Sequence, residues 1–174
     1  MSFEFQPHLQ NEKIRLVPLQ ETDFEKLYAV ASDPHIWEQH PNKDRYLRDV
    51  FKNFFEGALQ SGGAFILYDQ TTDEVIGSSR YYDYNPADKS IFIGYTFLAK
   101  KYWGKSYNLS LKNLMIEHAF QFIDKIYFHI GAENYRSQNS IVKTGAQKIG
   151  EEKIAYYGES EKLNFVYSIE KKLP

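Results

Sequence analysis

The sequence predicts a mixed α/β (α+β) fold, in which helices cover both faces of a mostly antiparallel sheet. Three observations support this prediction. Short apolar runs typical of strands occupy the middle and the end of the chain. Segments with apolar residues at helical spacing precede and interrupt these runs. Successive antiparallel strands followed by a strand, helix, strand unit are typical of a sheet that is packed on both faces.

The first third of the chain predicts one strand and two helices. Apolar and polar residues alternate over residues 13–19, which indicates a strand. Thr22 or Asp23 can cap a first helix, which ends before Pro34 because proline restricts the preceding residue to extended conformations. A second amphipathic helix is predicted over residues 44–59 and is closed by a Ser-Gly-Gly sequence.

The middle of the chain predicts three consecutive strands. Residues 64–68 and 75–84 are strand-like, and the polar segment 69–74 between them predicts a hairpin turn. A further strand is predicted over residues 90–98, after an Asn-Pro-Ala-Asp turn. Consecutive strands joined by short turns are expected to pair antiparallel.

The last part of the chain changes period. Apolar residues at helical spacing predict a long helix over residues 108–123, followed by a strand over residues 125–130. A short helix is predicted over residues 137–144, and two final strands over residues 146–156 and 163–170. This order adds a strand, helix, strand unit to the antiparallel strands.

Composition limits the function classes. With 174 residues, no repeat and no low-complexity linker, the chain is expected to form one domain over residues 1–174. The net charge of −2 argues against nucleic-acid binding. A secretion signal and long apolar runs are absent from the sequence, so no membrane association and a cytoplasmic location are expected. The chain has no cysteine, which removes disulfides and a cysteine nucleophile. No metal site is predicted, because His35 and His40 are wrongly spaced for one helix face.

The octamer AKKYWGKS, residues 99–106, is the first candidate for chemistry. It satisfies a loose form of the phosphate-binding loop, and a helix that begins after Gly104 presents free N–H groups to an anion. The alternative is that Gly104 only permits a tight turn and that Lys105 is a surface charge. ATP binding is disfavoured, because bulky residues precede Gly104 and no acidic residue ends a later apolar strand.

Two motifs together resemble a known family. Lys101-x-x-Gly104-x-Ser106 directly follows the strand SIFIGYTFL, and residues 134–146 read NYRSQNSIVKTGA, with Asn-x-x-Ser and Lys-x-Gly spacing. This pattern resembles the GNAT superfamily of N-acetyltransferases, of the type related to the ribosomal-protein N-terminal (alanine/serine) acetyltransferases. Two loop positions depart from the family pattern, since Lys101 replaces Gln or Arg and Ser106 replaces Gly or Ala. The resemblance extends in order over nearly the whole chain, through DPHIW, GSSRY, IGYTFL and WGKSYNLSLK.

The resemblance implies a GNAT-like, splayed central sheet that binds acetyl-CoA without a metal. In that family the sheet opens beside the strand that corresponds to residues 90–98, and the pantetheine arm pairs with the exposed strand. The residues that the resemblance assigns to the coenzyme are Tyr95, Thr96, Phe97, Leu98, Lys101, Gly104, Lys105, Ser106, Tyr107, Asn108, Asn134 and Ser137.

The implied reaction is direct transfer of acetyl to a primary amine of a protein N-terminus or a small molecule, with no acyl-enzyme. Asn134 matches the residue that binds pantetheine, and Ser137 matches the hydroxyl that protonates the thiolate. Both residues could instead simply begin a helix. The positions matching the acceptor side, where packing is the alternative, are Trp37, Arg80 and Tyr81.

The general base stays open at this point. The candidates are Asp83, Glu38, Glu133 and His129, and Ser110 replaces a glutamate of many relatives. Because no base is evident and two loop positions depart from the pattern, a non-catalytic acyl-CoA-binding domain is the alternative to an enzyme. Dimers are common in the resembled family, so a homodimer is compatible with the sequence.

Overall fold

In the computed structural model, which describes residues 2–156 and 158–174, eight strands form one sheet and four α-helices pack around it. Residues 1 and 157, which the predicted domain includes, lie outside the described residues. The strands are β1 Leu9–Gln10, β2 Ile14–Pro18, β3 Ala64–Asp69, β4 Val75–Asn85, β5 Ser90–Leu98, β6 Lys125–Gly131, β7 Gln147–Ala155 and β8 Glu161–Glu170. The helices are α1 Phe24–Ala31, α2 Arg48–Ser61, α3 Tyr107–Ala119 and α4 Tyr135–Ile141.

The sheet has the order β1-β2-β3-β4-β5-β6-β8-β7. Every neighbouring pair is antiparallel except β5 and β6, which are parallel. The long connection between β5 and β6 contains α3, as a parallel crossover requires. The predicted mixed, mostly antiparallel sheet is therefore confirmed.

Two apolar clusters cover the two faces of the sheet, as predicted. One cluster contains residues of α1 and α2, including Leu27, Phe51 and Phe55, together with Ile66 of the sheet. The other contains Leu111 and Met115 of α3 and Ile141 of α4, together with many sheet residues. Burial of these apolar side chains from both directions supplies the main stabilisation of the layered fold.

The predicted elements are present, and their boundaries differ where capping decides them. Helix α2 begins at Arg48 rather than residue 44, because Leu47 is extended. Helix α4 begins two residues earlier than predicted, because the Asn134 side chain caps it. Helix α3 ends at Ala119 rather than residue 123, and a turn follows. The two-residue strand β1 carries too short a pattern for sequence detection.

The parallel pair β5 and β6 separates after three residues on each strand. The register joins Ser90 with Lys125 and ends at Phe92 with Tyr127. Beyond these residues the two strands no longer pair, which leaves a cleft in the middle of the sheet. No helix in the described part of the chain is long and apolar enough to cross a membrane.

Candidate active site

The cleft between β5 and β6 leads into a cavity. We call it the first cavity; its volume is about 440 Å³. Its walls are the C-terminal halves of both strands, from Ile93 to Leu98 and from Phe128 to Gly131, together with the N-terminal ends of α3 and α4. An extended ligand entering here meets strand edges that have lost their ladder partners and can accept a new one.

A β-bulge in β5 shapes the middle of this wall. The register with β4 moves from Arg80 opposite Gly94 to Ser78 opposite Phe97, so two residues of β5 face one residue of β4. Tyr95 lies in the bulge with a left-handed φ of 52°. The bulge reorients the backbone of residues 95 and 96 beside the cavity. Of the residues that the sequence assigned to this strand, all four (Tyr95, Thr96, Phe97 and Leu98) line the cavity.

The N-terminus of α3 opens into the same cavity. Gly104 and Ser106 have left-handed φ angles of 68° and 65°, and the helix starts at Tyr107. Gly104, Ser106, Tyr107 and Asn108 all contribute to the wall. The free N–H groups of a first helical turn and the helix dipole favour an anion at this point.

Side chains from distant elements hold this loop in place. The indole Nε1 of Trp103 donates to the carbonyl of Leu98 at 2.9 Å. The guanidinium of Arg136 stacks 3.7 Å from the centroid of the Trp103 ring and adds positive charge beside the α3 terminus. Asn108 donates from Nδ2 to the Ser140 hydroxyl at 2.6 Å, which ties α3 to the end of α4.

Two predicted coenzyme residues do not line the first cavity. Lys101 is exposed and forms an ion pair with Glu74, which also accepts from the Tyr102 hydroxyl at 2.6 Å. Lys105 is exposed and lies outside the cavity wall. The positions of Lys101 and Lys105 near the loop could be predicted from the sequence, but the directions of their side chains could not.

The two predicted catalytic residues lie together at the start of α4. Asn134 is buried, and its Oδ1 accepts the N–H of Ser137 at 3.3 Å, so it caps the helix. Both residues line the first cavity. Within the described residues, the Asn134 Nδ2 and the Ser137 hydroxyl have no protein hydrogen-bond partner. The capping function and a ligand contact are compatible, because they use different atoms of Asn134.

Lys112 lines the first cavity, although the sequence did not predict it as a site residue. Its ammonium group is buried under the bulge, and Nζ donates to the Thr96 hydroxyl at 2.5 Å. Thr96 in turn lies 2.8 Å from the Ser79 hydroxyl. Burial lowers the pKa of Lys112 from 10.5 to about 7. Its position on a helix gave no signal that the charge would be buried.

A second hydrogen-bonded chain runs from the sheet to the far side of the cleft. The Tyr82 hydroxyl lies 3.0 Å from Nδ1 of His129, and Nε2 of His129 lies 3.1 Å from a carboxylate oxygen of Glu152. Because a carboxylate can only accept, Nε2 carries the proton and Nδ1 accepts from the Tyr82 hydroxyl. Burial lowers the pKa of His129 although Glu152 opposes the shift, which keeps the imidazole neutral near pH 7.

The other candidate bases lie elsewhere. Glu38 and Glu133 are exposed and do not line the first cavity. Asp83 is exposed at the rim of a neighbouring cavity of about 430 Å³, which we call the second cavity. Ser110 accepts a hydrogen bond from Asn11 at 2.7 Å and so fixes the turn between β1 and β2.

The three tentative acceptor residues separate in the structure. Trp37 is buried, donates to the Ala31 carbonyl at 2.8 Å, and lines the first cavity. Arg80 is buried beside the second cavity. Tyr81 lies in the core on the α3 side, where its hydroxyl donates to the Met115 carbonyl at 2.6 Å. Tyr81 is thus a packing residue, since neighbouring residues of a strand point to opposite faces.

A buried ion pair beside the first cavity could not be predicted from the sequence. Arg45, before α2, forms two hydrogen bonds with Glu159, Nε to Oε1 at 2.6 Å and Nη2 to Oε2 at 2.8 Å. Burial and the charge of Arg45 lower the pKa of His40 well below its usual value. The pair joins segments separated by 114 residues, so no local pattern could reveal it.

The fold and the site define a class of protein. It is a mixed α/β domain in which two parallel strands separate beside a helix N-terminus, an arrangement that suits an extended, anionic ligand. The chain belongs to the GNAT acetyltransferase family, because the family model described as acetyltransferase (GNAT) domain matches residues 13–147. The family expected from the sequence motifs is therefore confirmed. No curated protein sequence matches the chain.

Solved structures support the same fold. A GNAT-family acetyltransferase from Bacillus anthracis has a TM-score of 0.75 and 17% identity, covering 94% of this chain and 98% of its own. The ribosomal-protein-S5-alanine acetyltransferase of Vibrio fischeri has a TM-score of 0.70 and 16% identity, covering 95% and 97%. Spermidine N-acetyltransferase of Vibrio cholerae, in complex with CoA and spermine, has a TM-score of 0.68 and 17% identity, covering 90% and 95%.

The site also bears on the choice of cofactor. The part of the chain that the structure describes contains no group of three or more His, Cys, Asp or Glu side chains arranged to hold a metal ion. The groups that face the first cavity are instead backbone amides, hydroxyls, amides and cations. Such donors suit an anionic organic ligand.

Proposed function

We propose that this protein transfers acetyl from acetyl-CoA directly to a primary amine, within one GNAT domain over residues 1–174. One observation carries the proposal: β5 and β6 separate beyond Phe92 and Tyr127, and the N-terminus of α3 opens into the cavity between them. Coenzyme A combines an extended amide arm with a pyrophosphate. The cleft offers unpaired strand edges for the first and a helix N-terminus for the second.

The coenzyme is assigned to the first cavity. The N–H groups of residues 104–108 hold the pyrophosphate, and Arg136 adds charge from the side. The pantetheine arm lies along residues 95–98, and Asn134 donates from its free Nδ2. The complex of the Vibrio cholerae enzyme with CoA supports this choice of ligand. Lys101 and Lys105 contribute at most long-range charge, because their side chains lie outside the wall.

The bulge is the proposed position of the thioester. A backbone N–H at residues 95–98 donates to the carbonyl oxygen, which gains negative charge when the amine attacks. Backbone donors fixed before the reaction stabilise this charge without reorganising. Lys112, buried directly under the bulge, holds Thr96 and so the local backbone in place.

His129 is the proposed base, and it acts through Tyr82. The acceptor amine attacks the thioester carbon as a neutral nucleophile and becomes positively charged. Its proton passes to the Tyr82 oxygen while the Tyr82 proton moves to Nδ1 of His129, over the 3.0 Å hydrogen bond. Glu152 accepts from Nε2 and stabilises the imidazolium that results. The C–S bond then breaks, and Ser137 gives its proton to the departing thiolate. Ser137 takes a proton back from solvent and His129 releases one to solvent, so both groups return to their starting state.

A non-catalytic acyl-CoA-binding domain is the second candidate. One observation favours it: no Asp or Glu of the described residues lines the first cavity. It predicts that coenzyme A binds and that no amine is acetylated. The enzyme hypothesis requires that His129 supplies the missing base, so the two candidates differ in one measurable property.

The first test is thermal unfolding with acetyl-CoA, free coenzyme A and Mg-ATP in separate samples, since a ligand that binds the folded state raises its apparent stability. Both coenzyme forms should raise the unfolding temperature. Stabilisation by Mg-ATP alone would overturn the proposal. Thiol release from acetyl-CoA in the presence of amines then separates the enzyme from the binding domain, with His129→Gln as the inactive comparison and exposed His8→Gln as the matched control.

A further inference from the structure

The second cavity adjoins the first cavity, and none of the coenzyme-loop residues 104–108 lines it. It has a volume of about 430 Å³ and is bordered by α2, β4 and the end of β7. It shares Tyr82, Tyr95, His129 and Tyr156 with the wall of the first cavity. A molecule in the second cavity therefore lies next to Tyr82, where the proposed function needs the acceptor amine.

Arg80 is the unusual residue of this cavity. Only 4% of its surface is exposed, yet its guanidinium has no carboxylate of the described residues within 4.0 Å. Within the described residues its one hydrogen bond runs from Nη2 to the Phe54 carbonyl at 3.3 Å. The guanidinium stacks over the Tyr95 ring at 3.7 Å from the centroid and over Phe54 at 5.0 Å.

Arg45 provides an internal comparison for this buried charge. Arg45 is 1% exposed, and two hydrogen bonds to Glu159 neutralise it. Glu159 is thereby occupied and does not pair with Arg80. Burying a charge is costly unless it is paired, so a buried arginine without an anion, at the wall of a cavity, indicates a site that an anionic ligand completes.

The other charges around the cavity agree with this assignment. Burial lowers the pKa of Arg80 to about 10, which still leaves it charged at neutral pH. Glu152 is hydrogen-bonded to His129, and Asp83 is exposed at the rim, where solvent screens its charge. The buried floor is thus cationic and the exposed rim acidic.

We propose that the acceptor of this enzyme is an amine that carries a carboxylate, of the amino-acid type, and that Arg80 binds the carboxylate. The inference rests on the proposed function. Nε and Nη1 of Arg80 make no hydrogen bond within the described residues, and the planar guanidinium fork matches the two oxygens of a carboxylate. With the carboxylate at Arg80, the amine lies toward Tyr82. A polycationic amine places positive charge against Arg80 and is disfavoured.

The experiment compares pairs of acceptors that differ only in the carboxylate. Glycine and the L-amino acids that have a primary amine and no thiol, their carboxamides, and spermine are each incubated with acetyl-CoA, and thiol release gives kcat/KM. The expected result is that the best amino acid exceeds its own carboxamide and spermine at least tenfold. Arg80→Gln should remove this preference by raising the KM of the amino acid, while Arg80→Lys keeps part of it. Arg48→Gln, an exposed arginine of α2, is the matched control.

Carboxamides or spermine that react as well as the amino acids would overturn the inference and leave the acetyltransferase assignment standing. Acetyl-CoA binding without acetylation of any carboxylate-bearing amine overturns it as well. Failure to bind acetyl-CoA would overturn the proposed function instead. In that case ligand-observed NMR with the N-acetylated amino acids and their carboxamides tests the carboxylate site separately. Binding of the carboxylates that depends on Arg80 supports the inference. Equal binding of carboxylates and carboxamides, or no binding of either, refutes it. Circular dichroism checks that each variant is folded.

Discussion

Replacing Lys112 by methionine should stabilise this protein, although the substitution removes a hydrogen bond. The Lys112 ammonium is buried under the β5 bulge, and in the described part of the chain its one hydrogen bond is to the Thr96 hydroxyl. Methionine has a similar length and flexibility and fills the same space without a charge. Thr96 keeps its second partner, Ser79, at 2.8 Å.

The magnitude follows from the pKa of Lys112, which falls from 10.5 to about 7 on folding. At about 1.4 kcal/mol per pH unit, keeping this amine buried costs roughly 4 kcal/mol at pH 7. Loss of the hydrogen bond to Thr96 lowers the stability by about 1 kcal/mol, which offsets part of this gain. The net gain of roughly 3 kcal/mol corresponds to an unfolding temperature raised by roughly 6–12 °C in a protein of this size.

The pH dependence gives an independent measurement of the same effect. Between pH 7 and 10.5 the unfolded chain holds a proton on Lys112 and the folded chain does not, so stability rises with pH in this window. Below the folded pKa both states are protonated, and the slope from this group disappears. From pH 7 to pH 9 the wild type should therefore gain about 2 kcal/mol relative to Lys112→Met.

The assay is urea unfolding followed by circular dichroism at pH 7, 8 and 9. Lys52→Met, at an exposed position of α2, is the matched control and should change stability by less than about 0.5 kcal/mol. A Lys112→Met variant that is less stable than the wild type at pH 7 would refute the reasoning. So would parallel pH profiles for the wild type and Lys112→Met.

Three further predictions concern the site and its supports. His129→Gln should lower kcat/KM at least about 100-fold. It should also remove the loss of rate that protonation of His129 causes in the wild type below pH 6.5. A pH–rate profile of the variant that matches the wild-type profile would exclude His129 as the base. Glu159→Gln should destabilise the fold by about 3 kcal/mol in urea, because Arg45 keeps a buried charge without its partner, and a loss below about 1 kcal/mol would contradict this. Ser106→Gly should retain coenzyme binding and raise the free energy of unfolding by up to about 1 kcal/mol, since Ser106 has a left-handed φ of 65°. Gly104→Ala should lower the free energy of unfolding by a similar amount, because Gly104 also has a left-handed φ. A destabilised Ser106→Gly variant would argue against strain at this position.

Much of the fold could be predicted from the sequence, because local physics decides it. Short runs rich in apolar residues over 64–68 and 90–98 mark strands β3 and β5. Gly62 marks the end of α2 through its capping preference, whereas Ser137 was expected to cap α4 and the structure has Asn134 in that place. The loop before α3 was also found, because glycine and the start of a helical period are both local signals.

The site depends on contacts between residues that are far apart in the chain. Tyr82, His129 and Glu152 lie on three strands, separated by 47 and 23 residues, and only the sheet order brings them into one chain of hydrogen bonds. Lys101 is drawn to Glu74, 27 residues away, so its charge does not reach the cavity wall. Such partners follow from the path of the backbone, which local propensity does not specify.

The amino-acid sequence by itself determined the mixed sheet, its helical layers and the family, since these depend on periodicity, capping and short motifs. The tertiary structure alone decided which charges are buried. Arg80 and Tyr81 are neighbours in sequence, yet one lines the second cavity and the other packs in the core. Successive strand residues point to opposite faces, and the faces differ only after the helices have packed on them. The cost of burial is set by that packing, and with it the chemistry available to each side chain.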